Sequence, residues 1–516
     1  MTLSAGRVDP SVNPIYQEII FLLVMLGVAS LLFLFFSLAW PMEPGREYWI
    51  YLEHAYGIIS NSSFFRPAGA SHILGWISEW SLPWIEWAFL AMYLTHLATS
   101  YYTARLFGVM TARVVTLIML LNFSVLATFH RLDGYPLFCL ATSIWTACVV
   151  HFFRSGSNIT AFFLGLLTVL PLLMRQTGII LLLAIAFPLV CFGISRQTWL
   201  RSAMLALGVM VGLLGFSSYN YVHFDKFMIT PPSGVIIPAF FVYRLAPKFS
   251  PEYGPHNQKL IKTIQEELLT QDVYVQNQVD LHQFMTHSLD MRKFGDLIYL
   301  DNVYPDILKN AAYESIRAKP AEFFKALFTS TWRMYINDAL GPLPLAKEMP
   351  PENSPETTHV NGSDHPPTDS IKPNPKAIPI SYSSRPDLAR FTGTPYPPSK
   401  VDEAKIKDKI NIIMKQFKTE GNYHIAFLIK YFLSTLMPPM LFFMLASFLL
   451  VFRIRSLEVR LLATLLVPAM LLIFASSFVN QLPEYRAPFD FLILLGGVVG
   501  LMGTRLNSWH FQERRQ

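Results

Sequence analysis

The chain has 516 residues, of which 52% are hydrophobic, 14% aromatic and only 15% charged, with a net charge of +6 and a mean hydropathy of +0.36. A soluble chain of this length has no need for so few charges, and several of its apolar runs supply the ~20 helical residues that cross ~30 Å of hydrocarbon. These features exclude an ordinary soluble enzyme, and the lack of a basic patch excludes a nucleic-acid binder.

The first apolar run, 18–40, has no small-residue cleavage site behind it and is read as a retained helix. Directly after it comes PMEPGREYWIYLEHAYG, residues 41–57, which sets Arg46, Glu47, Tyr48 and Trp49 in succession beside the membrane. Further runs cut by polar punctuation predict spans at 83–105, 109–129, 135–153, 158–174, 177–195, 202–222, 424–452, 460–480 and 487–504. The fold class is thus an all-α polytopic membrane protein of about ten spans.

Arginines orient it. Arg7, Arg105, Arg113, Arg154, Arg196, Arg201, Arg453, Arg455, Arg460, Arg505, Arg514 and Arg515 fall on one side of this map, the positive-inside pattern, so both termini are expected in the cytoplasm. Every lysine lies between Lys226 and Lys430. Residues 223–423 are accordingly expected to be an extracytoplasmic domain between a seven-helix module (1–222, with the loop 41–82) and a three-helix module (424–516). Helical apolar spacing recurs in it at 256–270, 303–318, 320–337 and 402–419, and Pro320 and Glu322 suit a first helical turn. The stretch 341–400, rich in Pro, Ser, Thr and Asn, reads as a long irregular loop. Cys139, Cys148 and Cys191 lie in apolar runs and read as small buried residues, without disulfide or zinc spacing.

The informative charges sit on the outer side at span ends: Glu47 and Arg66 in loop one, Arg131 and Asp133 in FHRLDGYPLF, Arg175 in LLMRQTGIILL, and Glu484 and Arg486 in NQLPEYRAPFD. A charge at mid-bilayer costs ~2.5–3.5 kcal/mol even on the lenient insertion scale. Arg175 has almost no loop around it, so its guanidinium must snorkel outward or meet an anion. Collected at one interface, such arginines can hold a lipid-linked phosphate in bidentate fashion, while a carboxylate takes the proton of an attacking hydroxyl. There is no Gly-rich phosphate loop and no large cytoplasmic loop, which argues against a nucleotide-sugar enzyme. Each residue also has a plain structural reading. Glu47 would be a solvated charge on an amphipathic juxtamembrane helix with Trp49 and Tyr51 as interfacial anchors. Asp133 would cap the next helix, the arginines would contact lipid, Glu43, Glu53 and His54 would lie on the surface, and His96 would pack within its span.

Taken together these segments resemble GT-C glycosyltransferases, in particular the lipid A aminoarabinose and galacturonic acid transferases and the protein O-mannosyltransferases. REYWIYLEHA stands where that family carries an acidic residue, usually Asp, in its first outer loop; here it is Glu47. FFRPAGA resembles the Arg-x-Pro segment, LDGYPLFCLA the Asp that opens the fourth helix, LLMRQTGIILL the turn with Arg175 and Gly178, and EYRAPFDFLILL the Arg-Tyr-x-x-Pro segment. The resemblance implies a GT-C-like bundle with a mainly helical outer domain and a polyprenyl-phosphate-linked sugar donor. The acceptor would be a lipid, a glycan or a protein. It implies catalytic Glu47 and Asp133, with Arg66, Arg131, Arg175, Tyr485 and Arg486 at the donor phosphate. A divalent cation, Mg or Mn, is left open. A monomer among membrane lipids is expected, without nucleic acid, and the all-arginine cytoplasmic loops lean toward a bacterial inner membrane. Two alternatives remain at this point: a transporter or flippase of a lipid-linked glycan, and a ligase or polymerase using a diphosphate-linked donor.

Overall fold

A computed structural model of the chain describes residues 14–44, 48–58, 67–224, 241–271, 274–275, 278–286, 306–336, 401–417, 423–437, 439–453, 456–477 and 486–502, with the single positions 227, 239 and 297. Glu47, Arg66, Tyr485, Glu484 and the 341–400 stretch lie outside these residues. Apart from one two-residue strand pair, every regular element among the described residues is helical.

In chain order the elements are α1 (Pro14–Ala39), β1 (Glu43–Pro44), α2 (Tyr48–Ala55), α3 (Ala68–Ile77), α4 (Leu82–Arg105), α5 (Val109–Leu121), α6 (Phe123–Phe129), β2 (Arg131–Leu132), α7 (Gly134–Ser155), α8 (Asn158–Met174), a 3-10 segment (Gln176–Ala186), α9 (Phe187–Phe192) and α10 (Arg196–Phe224). The polar insertion contributes α11 (Pro255–Thr263), α12 (Leu281–Thr286), α13 (Ile307–Ala318), α14 (Pro320–Ile336) and α15 (Glu403–Lys415). The chain then forms α16 (Tyr423–Leu436), α17 (Met440–Ser447), α18 (Leu457–Ser477) and α19 (Ala487–Met502).

Helices occupy all ten apolar runs, but three of the runs are not single rods. The 109–129 run bends by 65° between α5 and α6, because the Asn122 side chain leaves the helical path to accept the Ser124 N–H at 3.1 Å and cap α6. In 177–195 the 3-10 segment gives way to α9 at Pro188, which has no N–H to continue an α-helical ladder. The 424–452 run is interrupted between Leu436 and Met440, where Pro439 caps the second helix and has no N–H to continue the first. By length and composition, four helical stretches (Tyr16–Ala39, α7, Arg196–His223 and His424–Phe452) are able to cross a membrane, or five if the bent pair counts as one span.

Direction follows from connectivity. α7 runs away from Asp133, and its 22 residues carry the chain about 33 Å. α8 brings it back to Arg175, so the start of α7 and the end of α8 share one end of the bundle. The α8–α10 crossing is tight. A Cβ on Gly165 would overlap the Leu205 carbonyl oxygen, and one on Gly208 the Phe162 carbonyl oxygen, so two backbones touch with no side chain between them. The α7–α8 pair is tied by Trp145, buried, whose indole N–H donates to Thr168 at 3.0 Å. Cys139 and Cys191 are buried among apolar residues and Cys148 half-buried, with no disulfide.

The insertion has its own small core of Val242, Tyr243, Leu260, Ile264, Leu308 and Ala311. The Glu314 carboxylate caps α11, accepting the N–H groups of His256 at 3.1 Å and Asn257 at 2.9 Å and pairing with the His256 ring at 2.6 Å. The helix α15 behaves differently: Ile410, Ile413 and Phe417 join the main core rather than this one. It lies across α2, with Phe417 edge-on to Tyr48 at 6.0 Å, and Lys409 bonds Glu79 at 2.8 Å while sitting 4.1 Å over the Tyr56 ring.

Two predictions follow from this packing. Gly208→Ala forces α8 and α10 apart, whereas nothing lies within 4 Å of a Cβ at Gly215. Overpacking of this kind costs about 1–3 kcal/mol, so thermal unfolding in detergent should place G208A well below both wild type and G215A. For Glu314, burial pushes the carboxyl up, but its bonds from His256 and Asn257 outweigh that and hold it below the ordinary value. A carboxyl depressed in the folded state adds stability that is complete above its unfolded value, about 4.3. That stability is lost as pH falls through the lower folded value. Acid denaturation followed at the insertion should therefore show a transition below about pH 4 that Glu314→Gln flattens.

Candidate active site

The five residues Arg131–Tyr135 form the hub of one end of the bundle. β1 pairs parallel with β2, Glu43 opposite Arg131 and Pro44 opposite Leu132, which fastens the start of loop one to the segment entering α7. Asp133 follows and is 2% exposed. Its Oδ1 accepts the Tyr135 N–H at 2.7 Å, capping α7, and its Oδ2 lies 3.4 Å from Arg131 Nε. The capping reading of Asp133 is therefore correct, and both of its oxygens are engaged. Gly134 must be glycine, since a Cβ there would overlap the Tyr51 hydroxyl of α2 and lie 3.3 Å from the Met174 carbonyl oxygen. Tyr51 is thus wedged at the junction of three segments distant in the chain.

Arg175 caps the end of α8 in extended conformation and is 7% exposed. Its Nη2 donates to the Tyr135 hydroxyl at 2.9 Å, and its Cζ stands 3.6 Å from the centroid of the same ring. The guanidinium is held inside the protein, which decides against snorkelling to lipid. Gly178 follows in a turn that folds back on α8, where a Cβ would meet the Leu172 amide nitrogen at 2.6 Å.

Arg486 enters from the last helix. Its Nε donates to Asp490 Oδ1 at 2.7 Å, and its Nη2 is 3.4 Å from Oδ2. The pair is 3% and 0% exposed, and Asn122 at the α5–α6 bend donates to Asp490 Oδ2 at 2.8 Å. Phe489 packs edge-on to Phe138 at 6.1 Å, which seats this pair against the first turns of α7. Cys139 lies within electrostatic reach of Asp490, Asp133 and Arg175 together.

Asp133, Arg131, Arg175 and Arg486 thus gather at one end of the bundle. Glu47, Arg66 and Tyr485 lie outside the described residues, though Pro44 and Tyr48 on either side of 45–47 are placed, the first in β1 opposite Leu132 and the second fully buried. Three expectations need correction. Glu53 and His54 are buried, at 9% and 4% exposure, rather than on the surface. Tyr51 is fully buried and is no membrane anchor, while Trp49 is exposed. The reason is that α2 is only eight residues long and is covered by α3 and α15. His96 packs in its span as expected, fully buried between Phe129 and Phe491.

Sequence reasoning missed Asp490, Asn122 and Tyr135. The first had a signal, because Arg486 and Asp490 have the i,i+4 spacing of a helical ion pair. Tyr135 sits two places after Asp133 in LDGYP, and Asn122 had no signal at all. Among the described residues no three His, Cys, Asp or Glu side chains are grouped to hold a metal ion.

The buried pair generates a prediction. Asp490→Asn removes the carboxylate from a guanidinium buried beside it, a change that costs about 3–5 kcal/mol, whereas replacing both members by apolar residues is often near neutral. Chemical unfolding in detergent should rank D490N well below the double variant Arg486→Met/Asp490→Leu. No protein-family model, no curated protein and no solved structure matches this chain.

Proposed function

We propose that this protein is an integral-membrane glycosyltransferase of about ten spans that moves one sugar from a polyprenyl-phosphate donor to a lipid, glycan or protein acceptor on the outer face. The observation that carries the reading is the meeting of loop one, the Asp133 turn and two inward-held arginines at one end of an apolar bundle. A sugar on a lipid phosphate presents its anomeric carbon just above the hydrocarbon, at the depth of these span ends.

In the proposed step the acceptor hydroxyl attacks the anomeric carbon and its proton passes to the Glu47 carboxylate. The carbon–oxygen bond to phosphate breaks with inversion, and the electron pair leaves on the lipid phosphate. Arg175 stabilises that growing charge. Asp133, with both oxygens engaged, acts as a positioning residue that holds Tyr135 and Arg131. Arg486 is committed to Asp490 and contributes a fixed polar floor. Arg66 and Tyr485 keep their place at the donor phosphate by resemblance alone, and no step is routed through a metal.

A second reading, transport of a lipid-linked glycan, gains from the broken span at Asn122 and the buried Arg486–Asp490 pair bonded to it, since transporters build sites on interrupted helices. One experiment separates the two. Purified protein in vesicles is given a synthetic lipid-phosphate sugar, and both covalent product and sugar movement are followed. Covalent transfer is expected, reduced about 10²–10⁴-fold by Glu47→Gln. Undiminished E47Q turnover would remove Glu47 from the base role, and movement without product would favour transport.

A further inference from the structure

The geometry points to a binding site for the phosphate of an anionic phospholipid at the opposite end of the bundle, formed by Arg201 and Arg460 around the last turn of α9. This site is separate from the outer end and does not depend on the sugar-transfer reading.

The two arginines come from different modules. Arg201, in the second turn of α10, lies with its Cζ 5.4 Å from the centroid of the Phe192 ring, and its Nη2 stands 3.1 Å from where a Cβ would be on Gly156, the residue that ends α7. Arg460, in the first turn of α18, lies within electrostatic reach of the neighbouring Cys191. One turn along, Thr464 Oγ1 meets Cys191 Sγ at 3.6 Å and fixes α18 against α9. Arg201 thus stands against Phe192, and Arg460, one turn before Thr464 on α18, lies beside Cys191, so both belong to the last turn of α9.

Each has one donor left over. The Nε atoms of Arg201 and Arg460 are buried from solvent and make no hydrogen bond, and among the described residues neither arginine has a carboxylate partner. Glu458, two positions before Arg460, pairs with neither. Arg105 of this end is paired by contrast, bonding both oxygens of Glu18 at 2.7 and 2.9 Å. A buried cationic N–H without an acceptor is costly, and two guanidinium groups beside one helix end can supply the donors that phosphodiester oxygens accept.

The surrounding surface selects the source of that phosphate. Val190, Ile194, Trp199 and Leu200 are exposed apolar residues around the same turn. Such a surface faces lipid, and a tryptophan on it marks the headgroup level. Basic pockets between helices at this level bind anionic headgroups. A soluble phosphate would have no use for the apolar rim.

Full-length protein purified in non-ionic detergent and stripped of lipid is titrated with phosphatidylglycerol, phosphatidylcholine or inorganic phosphate, reading retained lipid by native mass spectrometry and thermal stability in parallel. Wild type should retain one phosphatidylglycerol in preference to phosphatidylcholine. Arg201→Gln and Arg460→Gln should each weaken retention about tenfold, the equivalent of ~1.4 kcal/mol. Arg105→Gln should leave it unchanged. Equal retention of the two lipids by wild type overturns the proposal, and that arm stands even if a variant fails to fold. Unaltered retention by the variants also overturns it. So does stabilisation by inorganic phosphate that added phosphatidylglycerol cannot exceed, which would make this a soluble-anion site.

Discussion

The cap that Asp133 places on α7 is the interaction on which one end of the bundle depends. One carboxylate fixes the amide of Tyr135, and the four residues flanking Asp133 each meet something from elsewhere in the chain. Leu132 and Arg131 pair with the start of loop one, Gly134 admits the Tyr51 hydroxyl, and Tyr135 carries the Arg175 guanidinium. Loosening this cap would disturb the strand pair, the Tyr51 contact and the Arg175 contact together, because all three meet at this one turn.

The electrostatic arrangement follows from the apolar surroundings. Charges buried in such a bundle must be paired or given dense hydrogen bonding, since a lone charge there is expensive. The chain meets this condition in two ways. Arg486 is neutralised by a carboxylate one turn away, and Asn122 bonds the same carboxylate. Arg175 is held by an aromatic ring and its hydroxyl, contacts that fix the direction of its guanidinium.

Much of the architecture was legible in the sequence, because hydrophobic runs and Gly or Pro punctuation report local physics. The helices of the insertion fell close to their expected places: 303–318 is realised as Ile307–Ala318, and 402–419 as Glu403–Lys415. What could not be read was tertiary. The bend at Asn122 depends on a side chain choosing a cap and a partner 368 positions away. The burial of Glu53 and His54 depends on α3 and α15 covering an eight-residue helix whose own pattern looks half exposed. At the candidate site the gathering of Asp133, Arg175 and Arg486 followed from topology. The commitment of Arg486 to Asp490 was visible only as spacing and was passed over in favour of a ligand.

The bare-backbone contact between α8 and α10 has a mechanical consequence. Side chains between helices act as springs, and at Gly165 and Gly208 there are none, so the two helices have little freedom to slide or roll independently. They form a single stiff lever. Arg175 ends one arm of it, and Arg201 sits near the far end of the other. A displacement of α10 at one surface of the bundle is therefore delivered, with little loss, to the guanidinium at the opposite surface.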